Sequence, residues 1–411
     1  MPDLLYGEAE NDLREAVRSL LRERCRAADV IARTESTQPY DPALWQAMTG
    51  QLGAAGLLVP EALGGAGASY REAAVVAEET GRAVAPVPYL GSAVVATAVL
   101  LAATRPPGSD PADSELAGSD PAGSELAGSE SDRKLLAALA DGTTTAALVL
   151  PFESAPGTEP PATIRVVGPH TGDQAETVRL TGTATRVADA LPADVLIVPA
   201  DAVPYGLYAV DARDAGVRRT PLVSLDATRP LCDLTLEAVP ARQIAAGAAA
   251  RHAIDAALTA GTAMLAAEQL GLADQCVAMT VAYVKERRQF ARPVGSFQAI
   301  KHRLADLWVS VTQARAAARY AAACLAAGDE DTAVAVAMAK AYCSEVAVKA
   351  AEECVQLHGG IGFTWEHPAH LYLKRAKSSS VAFGTPDRHR AALARLAGLP
   401  GESRGPGSGE R

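Results

Sequence analysis

Aromatic side chains are scarce in this sequence, at 4% of residues, although hydrophobic residues reach 49%. The apolar mass is therefore aliphatic and alanine-rich, which favours closely packed helices over a core of stacked rings. Basic charge is also short: 38 Lys and Arg against 48 Asp and Glu leave a net charge of −10. That balance argues against a nucleic-acid binder with a basic face, but a local pocket of opposite sign for a small anion remains open. The six cysteines (Cys25, Cys232, Cys276, Cys324, Cys343 and Cys354) include no CxxC pair. Free thiols in a reducing compartment are expected from that scatter, not a zinc site or a disulfide frame. The start, Met1-Pro2-Asp3-Leu4, lacks the basic and apolar regions of a secretory signal. The longest nearly apolar stretch, 93–103, falls short of the ~20 residues that cross a bilayer. These absences predict a soluble, cytoplasmic protein with no nucleic-acid partner, no membrane span and no metal.

What is present divides the 411 residues into three folded parts, within the two or three domains that such a length suggests. The predicted fold class is α+β multidomain. A helical domain spans 1–142, with Asp41 and Ser69 as N-caps and a glycine-rich loop at Pro60–Ser69. Inside it, 108–132 belongs to a decapeptide repeated three times (GSDPADSELA, GSDPAGSELA, GSESDRKLLA), a period suited to a lengthened surface loop and too short for a solenoid. The third copy runs into a helix predicted from Arg133 to Ala140. A β domain follows at 143–240, with short strands predicted at 146–150, 163–167, 177–181, 195–198, 206–210 and 233–236. The third part, 241–397, is an up-and-down bundle: one helix from Gln243 to Phe290, then helices at 297–327, 330–357 and 366–377, and a short one at 387–396. The tail, 398–411, is too polar and glycine-rich to pack.

Three local patterns stand out within that order of parts. The first is Val59-Pro60-Glu61-Ala62-Leu63-Gly64-Gly65. The second is Tyr283-Val284-Lys285-Glu286-Arg287-Arg288-Gln289-Phe290, continued by Phe297-Gln298 and by Lys301–Asp306. The third is Gln356-Leu357-His358-Gly359-Gly360-Ile361-Gly362-Phe363-Thr364-Trp365-Glu366-His367. Taken singly, GGxG is the usual residue choice for a helix-ending turn and Arg287 a solvated helix charge. Their joint order and spacing resemble the acyl-CoA dehydrogenase family across nearly the whole chain, in its actinobacterial branch. The resemblance implies FAD bound between subunits of an oligomer. Arg287 would meet the flavin pyrophosphate of a neighbouring subunit, with Phe290 and Gln298 beside it; a rigid guanidinium fork suits a diphosphate. Gln356, Gly359, Gly360 and Gly362 would lie against the dinucleotide, where bare backbone permits close approach. Thr385 completes the cofactor set.

The family's reaction is α,β-dehydrogenation of an acyl-CoA thioester, for which a carboxylate must take the α-proton. The two positions that supply this base in the family's branches correspond here to Gly261 and Phe383, neither of which accepts a proton. Thr262 and Thr259 stand where the resemblance expects an arginine and an acid that hold acyl-CoA. The nearest acids are Glu268, seven residues along the same helix, and Asp255, six residues before. Glu366 reads as the charge of a local turn. Leu150–Thr158 keeps only Glu153 and Ser154 of the family's flavin-supporting loop, and Leu225–Pro230 reads as a structural turn. This pattern fits a base-less subunit that completes a sister subunit's flavin site, in an assembly passing electrons to an electron-transferring flavoprotein. Three alternatives stay open: a homomeric dehydrogenase with a displaced acid, a flavin monooxygenase on the same fold, and a helical scaffold binding neither FAD nor CoA.

Overall fold

The computed structural model describes residues 4–104, 128–167 and 177–399. The first two repeat copies and the tail from residue 400 lie outside the described residues. Helices α1 (Glu8–Arg24), α2 (Ala27–Thr34), α3 (Pro42–Leu52) and α4 (Tyr70–Ala83) open the chain. Both expected caps form. The Asp41 carboxylate accepts from the Leu44 N–H at 2.9 Å, and Ser69 shares a reciprocal capping box with Glu72. A π-helical segment, Tyr89–Ala96, runs into α5 (Thr97–Ala103). Helix α6 (Glu130–Ala140) starts three residues earlier than its apolar pattern predicts. Ser129 and Asp132 of the third repeat copy build its capping box, so that copy is a helix start.

The middle of the chain is a seven-stranded mixed sheet in the order β1-β4-β5-β7-β3-β2, with β6 also pairing β7. Its strands are β1 (Ala146–Leu148), β2 (Ile164–Val167), β3 (Thr177–Ala188), β4 (Val195–Ala200), β5 (Gly206–Asp211), β6 (Val217–Pro221) and β7 (Leu231–Ala246). Three strands depart from expectation, β3 by running on from the predicted 177–181 to Ala188. β6, with sequence VRRTP, has the charged look of a loop because it is an edge strand, where arginines discourage further pairing. β7 runs on to Ala246 because Gln243, Ala245 and Ala246 pair with Tyr208, Leu207 and Gly206 of β5. The first bundle helix therefore begins at Gly247, not Gln243.

That helix, α7 (Gly247–Glu286), is 40 residues long, and every residue from Ala260 to Ala273 is buried. A helix apolar on all faces belongs at the centre of its packing partners. Against it lie α4, α5, α8 (Gln298–Ala327) and α9 (Thr332–His358). Helices α10 (Ala369–Val381) and α11 (Pro386–Leu396) pack on α9. Close approach of α4 to α7 depends on two glycines. A Cβ on Gly271 would fall on the Glu78 carbonyl oxygen, and one on Gly81 on that of Glu268. All six cysteines are buried free thiols. Among the described residues no helix is long and apolar enough to cross a membrane.

Helix α7 also ends before its predicted limit. The chain leaves the helix at Arg287 and forms a tight hairpin of β8 (Arg288–Gln289) and β9 (Arg292–Pro293). Phe290 and Ala291 turn it in left-handed conformation, with φ of 50° and 61°. Neither residue type advertises such a turn.

Candidate functional site

The cofactor candidates fall into two groups. Arg287 caps the C-terminus of α7 and is exposed; among the described residues its guanidinium pairs with no carboxylate. Phe290 projects from the hairpin tip at 85% exposure, edge-on to Phe297 at 6.2 Å. Gln298 opens α8, its amide nitrogen 3.0 Å from Nε2 of His302. The glycine turn follows α9: Gln356 is exposed on the last turn, and Gly359 has φ 62°. Gly362 is buried so tightly that a Cβ would meet the Val355 carbonyl oxygen at 2.5 Å. These two segments meet at one end of the bundle. Tyr283, one turn before Arg287, stacks on His358, immediately before Gly359, with ring centroids 4.4 Å apart. Phe363 and Trp365 stand exposed on the same turn, at 76% and 66%, so this end carries an apolar rim of the kind that marks contact surfaces.

Thr385 belongs elsewhere. It is the N-cap of α11, accepting from the Arg388 N–H at 3.4 Å, and sits two residues from Phe383. Phe383 packs on Gly261, which precedes Arg287 by 26 residues of sequence, or about 39 Å along the helix at 1.5 Å per residue. The eight candidates thus lie on two separate surfaces of the chain.

At the second surface Gly261 and Phe383, the two positions that the resemblance sets at the base, touch one another. A Cβ on Gly261 would lie 2.8 Å from Val95 and 3.0 Å from the Phe383 ring. Phe383 is held in left-handed conformation, φ 53°, by hydrogen bonds on both sides. Its N–H donates to the Phe152 carbonyl at 2.9 Å, and its carbonyl lies 2.8 Å from Nε2 of His389. A bulky residue in that region is an outlier that its surroundings must impose. The ring closes a cavity of about 40 Å³ lined by Gly91, Val95, Leu258, Phe383, Asp189 and Arg229 among others, room for a few waters. The π-helical segment supplies Gly91 and Val95 to this wall. Substituting Gly261→Glu should therefore overpack the contact and cost about 1–3 kcal/mol, read as a lower urea midpoint, without conferring flavin reduction by acyl-CoA.

The displaced-acid candidates do not fill the gap. Glu268 is 3% exposed, and both of its oxygens are engaged: Arg229 donates to Oε2 and Arg375 donates to Oε1 at 2.9 Å. Burial alone would raise its pKa, but those two guanidiniums outweigh burial and hold it below the ordinary range. A carboxylate so held is a poor proton acceptor. Asp255 lies exposed, accepting the Gly157 N–H at 2.6 Å. Glu153 pairs with Arg186 of β3, and Glu366 is kept ionised by its own backbone N–H and the Thr364 hydroxyl.

Sequence reasoning missed the polar residues behind the cavity. The Leu225–Pro230 turn delivers Asp226, Thr228 and Arg229 into the core, where Arg375 donates to Thr228 at 2.9 Å and pairs with Asp226 at 3.3 Å. On the cavity's other side Asp189 is buried and accepts from the Tyr40 hydroxyl; burial raises its pKa, opposed in part by Arg229. A solitary acid at a strand end and a tyrosine 149 residues away give no periodic signal. Buried Lys340 is a further case, its pKa pushed down by burial to about 7. It donates to Ser344 at 2.9 Å and to the Ser379 carbonyl at 3.0 Å.

Comparison with known proteins agrees with this architecture. Residues 7–105 match the family model for the acyl-CoA dehydrogenase N-terminal domain, and residues 251–398 that for the C-terminal domain. Acyl-CoA dehydrogenase IpdE2 of Mycobacterium tuberculosis is 36% identical over 391 residues, covering 95% of this chain and 96% of its own. Among solved structures, the ChsE4-ChsE5 complex from Mycobacterium tuberculosis superposes with a TM-score of 0.78 at 28% identity, covering 97% of this chain and 100% of the matched one. A variant of the Tcur3481-Tcur3483 steroid ACAD gives 0.77 at 28% identity, with 95% and 98% coverage.

Proposed function

Because the chain belongs to the acyl-CoA dehydrogenase family of oxidoreductases, we propose that it works as the base-less subunit of a heteromeric, FAD-dependent dehydrogenase acting on an acyl-CoA thioester. The observation that carries this reading is the contact of Gly261 with Phe383. Both base positions hold groups that cannot ionise, and the space beside them is filled by a phenylalanine ring. With a cavity of about 40 Å³, an acyl chain has no room at that surface unless the ring moves.

The other surface is open and suits a dinucleotide. Among the described residues Arg287 pairs with no carboxylate, Gly359 and Gly360 have no heavy atom within 4 Å of a notional Cβ, and Gly362 lets backbone approach backbone. Bound there, FAD would supply the hydride acceptor for the reaction. In this reading Arg287 and the glycine turn hold the cofactor's phosphates and orient it. Phe290, Phe363 and Trp365 exclude water by packing against the sister subunit, and that subunit provides both the acyl pocket and the proton-accepting carboxylate. The distance between Thr385 and the Arg287 cluster supports sharing: contacts of the two kinds in one chain serve two different cofactor molecules. The reduced cofactor would pass its electrons to an electron-transferring flavoprotein. The heteromeric assembly is in keeping with the ChsE4-ChsE5 relative, which is itself a complex.

The test is flavin absorbance under anaerobic acyl-CoA. The chain alone should show no bleaching, the chain with its sister subunit should bleach, and Arg287→Ala in the mixture should retain less flavin while leaving assembly intact. Bleaching by the chain alone would overturn the base-less assignment. Colourless protein in the mixture after FAD reconstitution would favour the scaffold.

A further inference from the structure

We propose that a crevice between α1, α4, α7 and α8, away from both surfaces described above, is a binding site for a small multivalent oxyanion of phosphate size. Arg14, Arg18, Arg82 and Arg315 line it together with Glu78, Glu79 and Asp274. A fifth arginine, Arg319, stands behind Glu78 at 3.8 Å. Four guanidiniums thus line the crevice against three carboxylates, an excess of one positive charge where Glu78 and Glu79 are buried, with the Arg319 guanidinium behind them over the Tyr6 ring at 3.9 Å.

The pairing geometry leaves donors unspent. Arg18 grips Glu79 with two bonds, at 2.6 and 2.9 Å, and Arg14 donates to Glu78 at 2.6 Å. Asp274 is shared between Arg82 and Arg315. Among the described residues, the Nε atoms of Arg14 and Arg319 are buried with no hydrogen-bond acceptor. Each lies 3.7–3.8 Å from a carboxylate oxygen, beyond bonding distance. A buried donor without a partner and an unbalanced cationic cluster are both costly, and one oxyanion in the crevice, beside Arg14, would relieve the charge excess and offer Arg14 Nε an acceptor. The space fits. The crevice holds about 60 Å³, room for one tetrahedral oxyanion or a few waters. Guanidinium forks are the side chains best matched to such a ligand. Because α1 and α4 come from the amino-terminal part of the chain and α7 and α8 from the bundle, an anion here would fasten the two together.

The test titrates the purified full-length chain with inorganic phosphate against chloride at matched ionic strength, by calorimetry and by melting temperature. One saturable site per chain is expected, with a rise in melting temperature that follows occupancy. Arg315→Gln, which removes a half-exposed donor, should weaken phosphate binding at least tenfold. Asp274→Asn, which releases two arginines from a competing carboxylate, should strengthen it, so one variant is read as a gain. Arg390→Gln, on the exposed face of α11, should leave binding unchanged. Unsaturable binding, or an Arg390→Gln loss equal to that of Arg315→Gln, would mean general charge screening and would overturn the site.

Discussion

Glu268→Gln is expected to lose about 3–5 kcal/mol of folding stability, the range for breaking a buried ion pair from one side. The substitution keeps the volume of the side chain but leaves Arg229 and Arg375, 4% and 2% exposed, without the charge that both of them share. Asp226 remains for Arg375 alone. Because folding lowers the Glu268 pKa, the stabilisation is fully present above the unfolded carboxylate value of about 4.3 and disappears as pH falls through the lower folded value. Denaturant titrations from pH 7 to pH 3 should therefore show a steep acid limb in the parent protein and a shallower one in Glu268→Gln. The same variant separates structure from chemistry. A side chain that only supports the core lowers stability and leaves flavin reduction by the assembled enzyme in place at a temperature where the variant is folded; a catalytic base abolishes reduction at any temperature.

Gly271→Ala should be at least as damaging, at or beyond the top of the usual 1–3 kcal/mol (approximately) for overpacking. The added methyl would fall on the backbone carbonyl of Glu78, not on the end of a flexible side chain. Relief requires α4 and α7 to separate along a contact that buries Glu79 and Thr80 on one side and Glu268 and Leu270 on the other. Low soluble yield and a large drop in melting temperature are the expected readouts. Gly50→Ala provides the internal standard: it lies in α3 with no heavy atom within 4 Å of the new Cβ, and should gain about 1 kcal/mol from helix propensity. Equal effects at the two sites would mean that backbone proximity is not what Gly271 is there for.

Much of this architecture was legible because helices announce themselves locally. Asp41 marked the start of α3, Ser69 and the apolar spacing placed α4 within two residues of its limits, and α8, α9 and α11 were similarly marked. The predicted helix at 330–357 set Gly359 just past a helix end, whereas Arg287, expected inside a helix reaching Phe290, is the residue at which that helix ends. What escaped notice depends on distant pairing. The last residues of β7 look helical until β5 claims them. The hairpin after Arg287 turns on Phe290 and Ala291, whose side chains do not encode a left-handed turn. Arg229, Glu268 and Arg375 are spread over 146 positions of sequence yet form one buried group, and no local pattern connects them. The substitutions at Gly261 and Phe383 were visible as substitutions; that each fits against the other was not.

That mutual fit bears on how the chain can change by descent. A change at position 261 to a carboxylate meets the Phe383 ring and Val95. A carboxylate at position 383 would set a charge in a left-handed backbone beside Val95 and Leu258, in a cavity of about 40 Å³. Each single step is penalised while the other residue persists, so a carboxylate can be gained at either position only if both change together. If the chain works as the base-less subunit proposed above, selection would favour co-inheritance with the partner that carries the base, and the two genes would be expected to travel together.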